Sequence, residues 1–388
     1  MMQFNQLYKL ALILLLPGSL PAMKSDPFCP NCAATRDYFH KLCDYIAAEK
    51  GDVGEIFTGG YYMRDLVAGS EIYGNEQYLK TAIAYADQLV GKQSARGYWG
   101  TGYGRIYLAD TGSALGLFIV LYPHVDHERQ QRYRESVQRY VDAIGKDGMV
   151  LPSGAIDVGL KVGPDGRATD PYKEAYTISS ALTGGEIYTW LYHITKKHEY
   201  REVAYHALSW VLSTIRPDGV IPYNHPGGGS DLRKKNDATN DYNLWQRSLF
   251  LTSAYVGEGL ISFDLYCDQS KWKEELRTRI KPHINYVLEH QNPNGTWGVD
   301  GPWDQKRSPG IVNLLTWYYD HVEKDPRIPK AVERFDQFIL TPAHAKVFGM
   351  LNDGATPSAK DRISYDCVTG LTGRALADII RPGIDAEW

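Results

Sequence analysis

The chain has 388 residues, 43% hydrophobic and 23% charged, with a formal net charge of −4. That balance belongs to an ordinary globular protein with room for a large core, and the slight acidity argues against nucleic acid or an anionic membrane as partner. Aromatics are skewed, with 28 Tyr and 9 Trp against 10 Phe, and Tyr and Trp join a flat apolar face to a polar handle suited to wet clefts as well as cores.

In chain order, Lys9, the apolar run Leu10–Leu16 and the small residues at Pro21-Ala22 have the layout of a secretory signal over residues 1–23, which implies a secreted or periplasmic protein. The run is too short to span a bilayer. A tail, 24–33, carries Cys29-Pro30-Asn31-Cys32. It lacks the preceding strand of a redox motif and the second ligand pair of a zinc site, leaving a local disulfide or free thiols.

From residue 34 to 388 no Pro/Ser-rich linker interrupts the chain, so it reads as one domain. One-sided helices are expected over 35–50, 76–92, 127–145, 200–215, 270–290 and 329–340. Nearly all-apolar ones are expected over 57–73, 110–122, 171–194, 241–266, 309–319 and 366–380. An all-apolar helix must be enclosed, whereas a one-sided helix covers a surface. Strict alternation of the two kinds therefore predicts an all-α fold, an (α/α)6 barrel with an inner ring of helices inside an outer ring. Long linkers precede the inner helices and so gather at one end. Several open with a tight turn, such as Asp147-Gly148 and Asn294-Gly295, each followed by a short apolar stretch expected to form a small strand.

Inner helices are expected to start at Asp110, Asp170 (with Pro171 next), Asp241, Asp366 and Ser308-Pro309, residues suited to capping. Convergence of such carboxylates on one rim also suits acid–base chemistry on a glycan. A cap environment favours the ionised form, while an acid needs burial or a like charge nearby. Glu174 and Asp304 are candidates for that second role. The long loops carry Trp99, Tyr103, Tyr223, His225, Trp297, Trp303 and Tyr365, flat rings able to stack on sugar faces. Arg105 and Arg247 offer bidentate partners for a uronate. Substrate contacts are accordingly expected at Trp99, Tyr103, Asp241, Arg247, Trp303, Asp304 and Tyr365. No phosphate loop, dinucleotide fingerprint, nucleophile elbow or metal-binding pair is present in the sequence, so neither cofactor nor metal is expected.

The stretch Ile56-Phe57-Thr58-Gly59-Gly60-Tyr61-Tyr62 running to Tyr73-Gly74-Asn75-Glu76-Gln77-Tyr78-Leu79 resembles the first hairpin of unsaturated uronyl hydrolases, glycoside hydrolase families 88 and 105. The likeness continues to Asp110, at the family's acidic helix start, and Asp170 lies nearest its further catalytic aspartate. The resemblance implies a six-hairpin (α/α) barrel that releases unsaturated uronic acid from oligosaccharides by hydration, with Asp110 and Asp170 as the catalytic pair. Two alternatives stay open. One is a polysaccharide lyase on the same toroid, using Asn240, Tyr242 and Arg247. The other is a non-catalytic glycan-binding toroid.

The export reading has its own test. Protein recovered from its native host should begin near Met23 to Asp26 on N-terminal sequencing, and retention of Met1 would remove the argument for export.

Overall fold

Helices that are apolar on every face need enclosure by other helices, and the architecture follows from that need. The computed structural model describes residues 28–51, 56–100, 105–163, 165, 167–223, 250–298, 305–341 and 362–384; the anticipated signal, residues 1–23, lies outside them. Among the described residues the chain alternates between two kinds of helix. Those of odd number bury one face: α1 (Cys32–Glu49), α3 (Glu76–Gly91), α5 (His127–Lys146), α7 (His198–Ser213), α9 (Ser270–Glu289) and α11 (Arg327–Ile339). Those of even number are enclosed: α2 (Ile56–Tyr73), α4 (Leu108–Leu121), α6, α8 (Phe250–Tyr266), α10 (Ile311–His321, entered through the 3-10 turn Gln305–Gly310) and α12 (Arg362–Ile380). Helix α6 is one rod assembled from Thr177–Ser179, a π-helical stretch Ser180–Ile187, and Tyr188–Thr195.

The contrast is plain in α4 and α5. Every residue of α4 except Asp110 is buried, whereas α5 buries a stripe that includes Tyr133, Val137, Tyr140 and Ile144. The even helices pack side by side in the order α2, α4, α6, α8, α10, α12, and α12 returns to α2 to close the ring. Odd helices cover it from outside: α1 lies against α2 and α12, α3 against α2 and α4, α7 against α6 and α8, α11 against α10 and α12. The expected double ring is therefore present.

The small strands differ from expectation. After Asp147-Gly148 the chain makes only an isolated bridge, Val150 to Ile156. The described sheet joins two different linkers instead, pairing β1 (Arg105–Tyr107), β2 (Gly159–Val162) and β3 (Ala168–Pro171) antiparallel in that order. Tyr107 stands opposite Gly159, and Leu160 opposite Pro171. The reason is that a short apolar stretch pairs with whatever edge the fold brings alongside it.

A repeated clamp fastens linkers to the outer ring. Gln93 Nε2 donates to Gly97 O (2.9 Å) and Ser136 O (2.8 Å), and Trp99 Nε1 donates to Leu89 O (2.8 Å). Gln291 Nε2 does the same to Gly295 O (2.8 Å) and Ala331 O (2.8 Å), with Trp297 Nε1 to Val287 O (2.9 Å). Both copies read Gln-x-x-x-Gly-x-Trp. Gly97 and Gly295 have φ of +99° and +88°, and a side chain on either would strike the backbone of the next outer helix, at Arg139 and Arg334.

Two buried polar groups tie the layers together. His283 is enclosed, and burial lowers its pKa to about 4, so the ring is neutral. Its Nδ1–H then donates to Gly219 O (2.8 Å) while Nε2 accepts from Ser253 Oγ (2.9 Å). Asp336 of α11 accepts from the Thr35 hydroxyl at the start of α1 (2.9 Å), joining the last outer helix to the first. Cys29 and Cys32, beside that junction, are bonded to each other, which realises the disulfide alternative, and Phe28 packs edge-on to Tyr319 at 5.2 Å.

Burial, opposed in part by Thr35 and Asn31, raises the Asp336 pKa to about 6 from the usual 3.8. The folded protein therefore holds this proton more tightly than the unfolded chain, and stability falls as pH rises through that interval. The melting temperature of the parent should decline between pH 4 and 6 more steeply than that of Asp336→Asn. Parallel slopes in the two thermal series would remove Asp336 from the account.

Candidate functional site

At the N-terminal ends of the inner helices a second apolar cluster forms the floor of a mouth. It holds Tyr61 of α2, Ala109 of α4, Tyr176 and Leu182 around α6, Tyr255 of α8 and Leu371 of α12, with Tyr107, Tyr172 and Tyr223 packed on it partly buried. Asp110 stands here, half-buried, as the third residue of α4. The expected cap at Asp110 is corrected. Helix α4 begins at Leu108 behind Tyr107, and the Leu108 N–H donates to Val158 O (3.0 Å) on the neighbouring linker. A loop carbonyl thus satisfies the first N–H, and Asp110 sits in the first turn of the helix rather than at its cap position.

The start of α4 is held from below. Leu108 O accepts from the Thr183 hydroxyl (2.8 Å), which in turn lies 3.0 Å from the Tyr140 hydroxyl. Above it, Tyr176 and Tyr223 meet edge to face at 5.5 Å. Burial pushes the Tyr176 hydroxyl well above the ordinary phenol range, and the neighbouring Tyr223, the Asp110 charge and Tyr107 push it the same way. Tyr176 thus stays protonated, its enclosed hydroxyl hydrogen-bonded to Tyr223.

The Asp170 expectation is corrected in the same way: Asp170-Pro171 is not a helix start. Asp170 lies exposed in β3, and α6 begins at Thr177. Between them the chain turns sharply. Lys173 has φ of +60°, a conformation costly for a side-chain-bearing residue unless its surroundings hold it. Asp157 does so, accepting from Lys173 N (2.7 Å), Gly159 N (3.3 Å) and Glu174 N (3.4 Å). Lys173 Nζ reaches Asp147 O (3.1 Å) and Gly148 O (3.0 Å). Beyond the turn Glu174 O accepts from Val158 N (2.9 Å) and Tyr176 N donates to Ile156 O (3.1 Å). In such extended pairing, residues two apart share a face, so Glu174 is presented with Tyr176, and one of its carboxylate oxygens is buried.

Beneath the mouth the barrel axis is charged. The Tyr61 hydroxyl donates to Glu258 Oε1 (2.9 Å) and lies 3.2 Å from Ser113 Oγ. Arg64 Nη1 sits 3.1 Å from Glu258 and 3.3 Å from Glu186, and Arg374 Nη1 is 2.8 Å from Glu258. All four are at most 4% exposed. The Arg374 guanidinium also lies over the Tyr61 ring at 5.4 Å. Sequence reasoning missed this quartet, although its signal was available: single charges in the middle of otherwise apolar helices.

Several expected site residues are placed elsewhere or lie outside the described residues. Trp99, expected on the rim, is 1% exposed and serves as a clamp, and Trp297 is likewise enclosed; each indole N–H is used by a backbone carbonyl, which turns the ring inward. Ser308 falls in the 3-10 turn before α10 and donates to Trp297 O (3.1 Å). Asp366 is inside α12 rather than at its start. Tyr103, Asp241, Arg247, Trp303, Asp304 and His225 lie outside the described residues, as do the side chains of Arg105 and Tyr365.

No family model matches the sequence, and no curated protein matches it. Solved structures do match in fold. A polysaccharide lyase superposes with a TM-score of 0.64 at 15% identity, covering 90% of this chain and 97% of its own. The unsaturated glucuronyl hydrolase of Bacillus sp. GL1 gives 0.60 at 15%, covering 90% and 95%. A possible member of family 105 from Salmonella enterica gives 0.63 at 11%, covering 89% and 94%. The chain therefore has the toroid fold of these carbohydrate-active enzymes.

The clamp assignment makes a direct prediction. Trp99→Ala should destabilise the protein by about 3–5 kcal/mol, as loss of a large buried ring does, while glycan affinity per folded molecule stays at the parental value. Denaturant unfolding and binding titrations below the transition separate the two effects.

Proposed function

We propose that this protein is a carbohydrate-active enzyme, exported from the cell, that removes unsaturated uronic acid from the end of an oligosaccharide by hydration. The observation carrying this reading is Asp110. It is a half-buried carboxylate in the first turn of an inner helix, three residues past the cap position, and its charge acts on the buried Tyr176 hydroxyl. The ring supplies the electrostatics. Inner helices that turn their N-termini toward one mouth present partial positive charge there, suited to the carboxylate of a uronate.

In the proposed reaction an acid donates its proton to C4 of a 4,5-unsaturated uronate. Water adds to C5 as a base takes its proton. The resulting hemiketal collapses, breaking the glycosidic bond and releasing the neighbouring sugar. Asp110 is one member of the pair. The second comes from the segment 170–174, with Asp170 on the exposed edge and Glu174 facing the mouth beside Tyr176. Glu174 is the better placed of the two, since it is half-buried with one carboxylate oxygen enclosed whereas Asp170 is exposed.

A lyase on the same toroid needs a base to remove the C5 proton. The raised Tyr176 pKa disfavours that residue as an anionic base, and the other lyase candidates, Asn240, Tyr242 and Arg247, lie outside the described residues. Ultraviolet absorbance of the conjugated uronate separates the readings: a hydrolase consumes it, a lyase generates it, and a binder leaves it alone.

Asp110→Asn should lower kcat/KM on an unsaturated oligosaccharide by roughly 100- to 10,000-fold at unchanged melting temperature, the usual cost of losing acid–base catalysis. Glu174→Gln should do the same while Asp170→Asn stays within several-fold of the parent; the reverse ranking would give the second role to Asp170. An Asp110→Asn enzyme of near-parental activity would leave that carboxylate outside the chemistry.

A further inference from the structure

Beside the mouth, the segment carrying Glu174 runs antiparallel to residues 156–159, and the two strands differ in length. Tyr172 N donates to Gly159 O (3.1 Å), and Asp157 bridges to Ala175. Only Val158 separates Gly159 from Asp157, whereas Lys173 and Glu174 both separate Tyr172 from Ala175. One extra residue on one strand makes a β-bulge, a device that re-aims the side chains around it. Lys173 opens this bulge with φ of +60°. Glycine is the usual occupant of such a place, because a Cβ makes the left-handed conformation costly.

With lysine there instead, Asp157 holds the bulge. Its side chain is fully enclosed and collects three backbone donors. Oδ2 accepts from Lys173 N (2.7 Å), while Oδ1 accepts from Gly159 N (3.3 Å) and Glu174 N (3.4 Å). Both bulge amides thus end on one side chain. A carboxylate suits this because each oxygen accepts and neither donates, whereas an amide would turn its NH2 toward one of the three N–H groups.

The neighbouring chain is braced from outside. Arg96 Nη1 donates to Ala168 O (2.7 Å) and Thr169 O (3.1 Å) in β3, and its Nη2 lies 3.0 Å from Asp147 Oδ1. Lys173 Nζ reaches the carbonyls of Asp147 and Gly148, so strand and bulge hang from the same turn after α5. On the far side, α6 takes over at Thr177. Between these fixed ends the bulge decides where Glu174 points. Given the function proposed above, in which Glu174 takes part in the chemistry, we infer that Asp157 is a positioning residue for that carboxylate. Enclosed as it is, it acts on the reaction only through the backbone it holds.

Activity is followed on the full chain with a 4,5-unsaturated glucuronyl disaccharide, by loss of its ultraviolet absorbance. Asp157→Ala should lower kcat by roughly 100-fold, the cost of an ångström-scale misplacement, while KM stays within several-fold of the parent. Adding Lys173→Gly should recover roughly tenfold of that loss, since glycine adopts the left-handed conformation without the Cβ penalty. A role in stability alone predicts no such recovery. Amide hydrogen exchange in a peptide spanning residues 172–176 should be faster in Asp157→Ala than in the parent. If Asp157→Ala does not fold, Asp157→Asn takes its place, with a smaller loss of kcat that Lys173→Gly again recovers in part. Parental kcat in the Asp157 variant, or a loss that Lys173→Gly leaves untouched, would overturn the positioning role and leave the proposed function standing. A parent that does not consume the disaccharide, or a Glu174→Gln variant as active as the parent, removes that function and the positioning role with it.

Discussion

Six helices standing in a ring leave a space along their common axis, and what fills it constrains the rest of the molecule. Here it is filled by charge: Arg64 and Arg374 against Glu186 and Glu258. Desolvating such groups is expensive, and their mutual attraction offsets that cost only when all are present; losing one partner of a buried pair typically costs about 3–5 kcal/mol. The members come from α2, α6, α8 and α12, so the ionic core requires the ring to close in one register. The Tyr61 hydroxyl on Glu258 carries that requirement up to the floor of the mouth.

Local irregularities serve the quartet. Glu186 lies at the end of a π-helical stretch, whose extra residue per turn rotates the following side chains relative to a regular helix. Gly116 of α4 leaves room for the Arg64 guanidinium, which a side chain at that position would strike. Helices α6 and α8 also approach unusually closely, since a methyl on Gly185 would lie 2.9 Å from Gly259 Cα. Side chains at any of these places would open the ring where the charges must meet.

The same ring divides the electrostatics of the molecule. Inner-helix N-termini face the tyrosine-lined mouth and C-termini face the opposite end, so the two ends carry partial charges of opposite sign. Long linkers gather at the first, where Asp157 holds the left-handed turn at Lys173. Below it, short connections such as Gly74-Asn75 leave the basal end trim.

The double ring was legible in the sequence because it rests on periodicity, a property of neighbouring residues. An all-apolar stretch such as 110–122 declares enclosure, and a stripe such as Tyr133, Val137, Tyr140 and Ile144 declares a covering helix. Sequence also marked Asp110, beside an aromatic loop, as a residue to examine. Tertiary structure decided what each polar group does. Trp99 and Trp297 turned inward because carbonyls ten residues earlier were waiting for their N–H groups. The start of α4 was moved ahead of Asp110, and Asp170 was drawn into a strand, by pairing between linkers that the helix pattern does not encode. Arg64 finds Glu258 across 194 positions of chain. No local pattern specifies such a partner, because it exists only once the ring has closed.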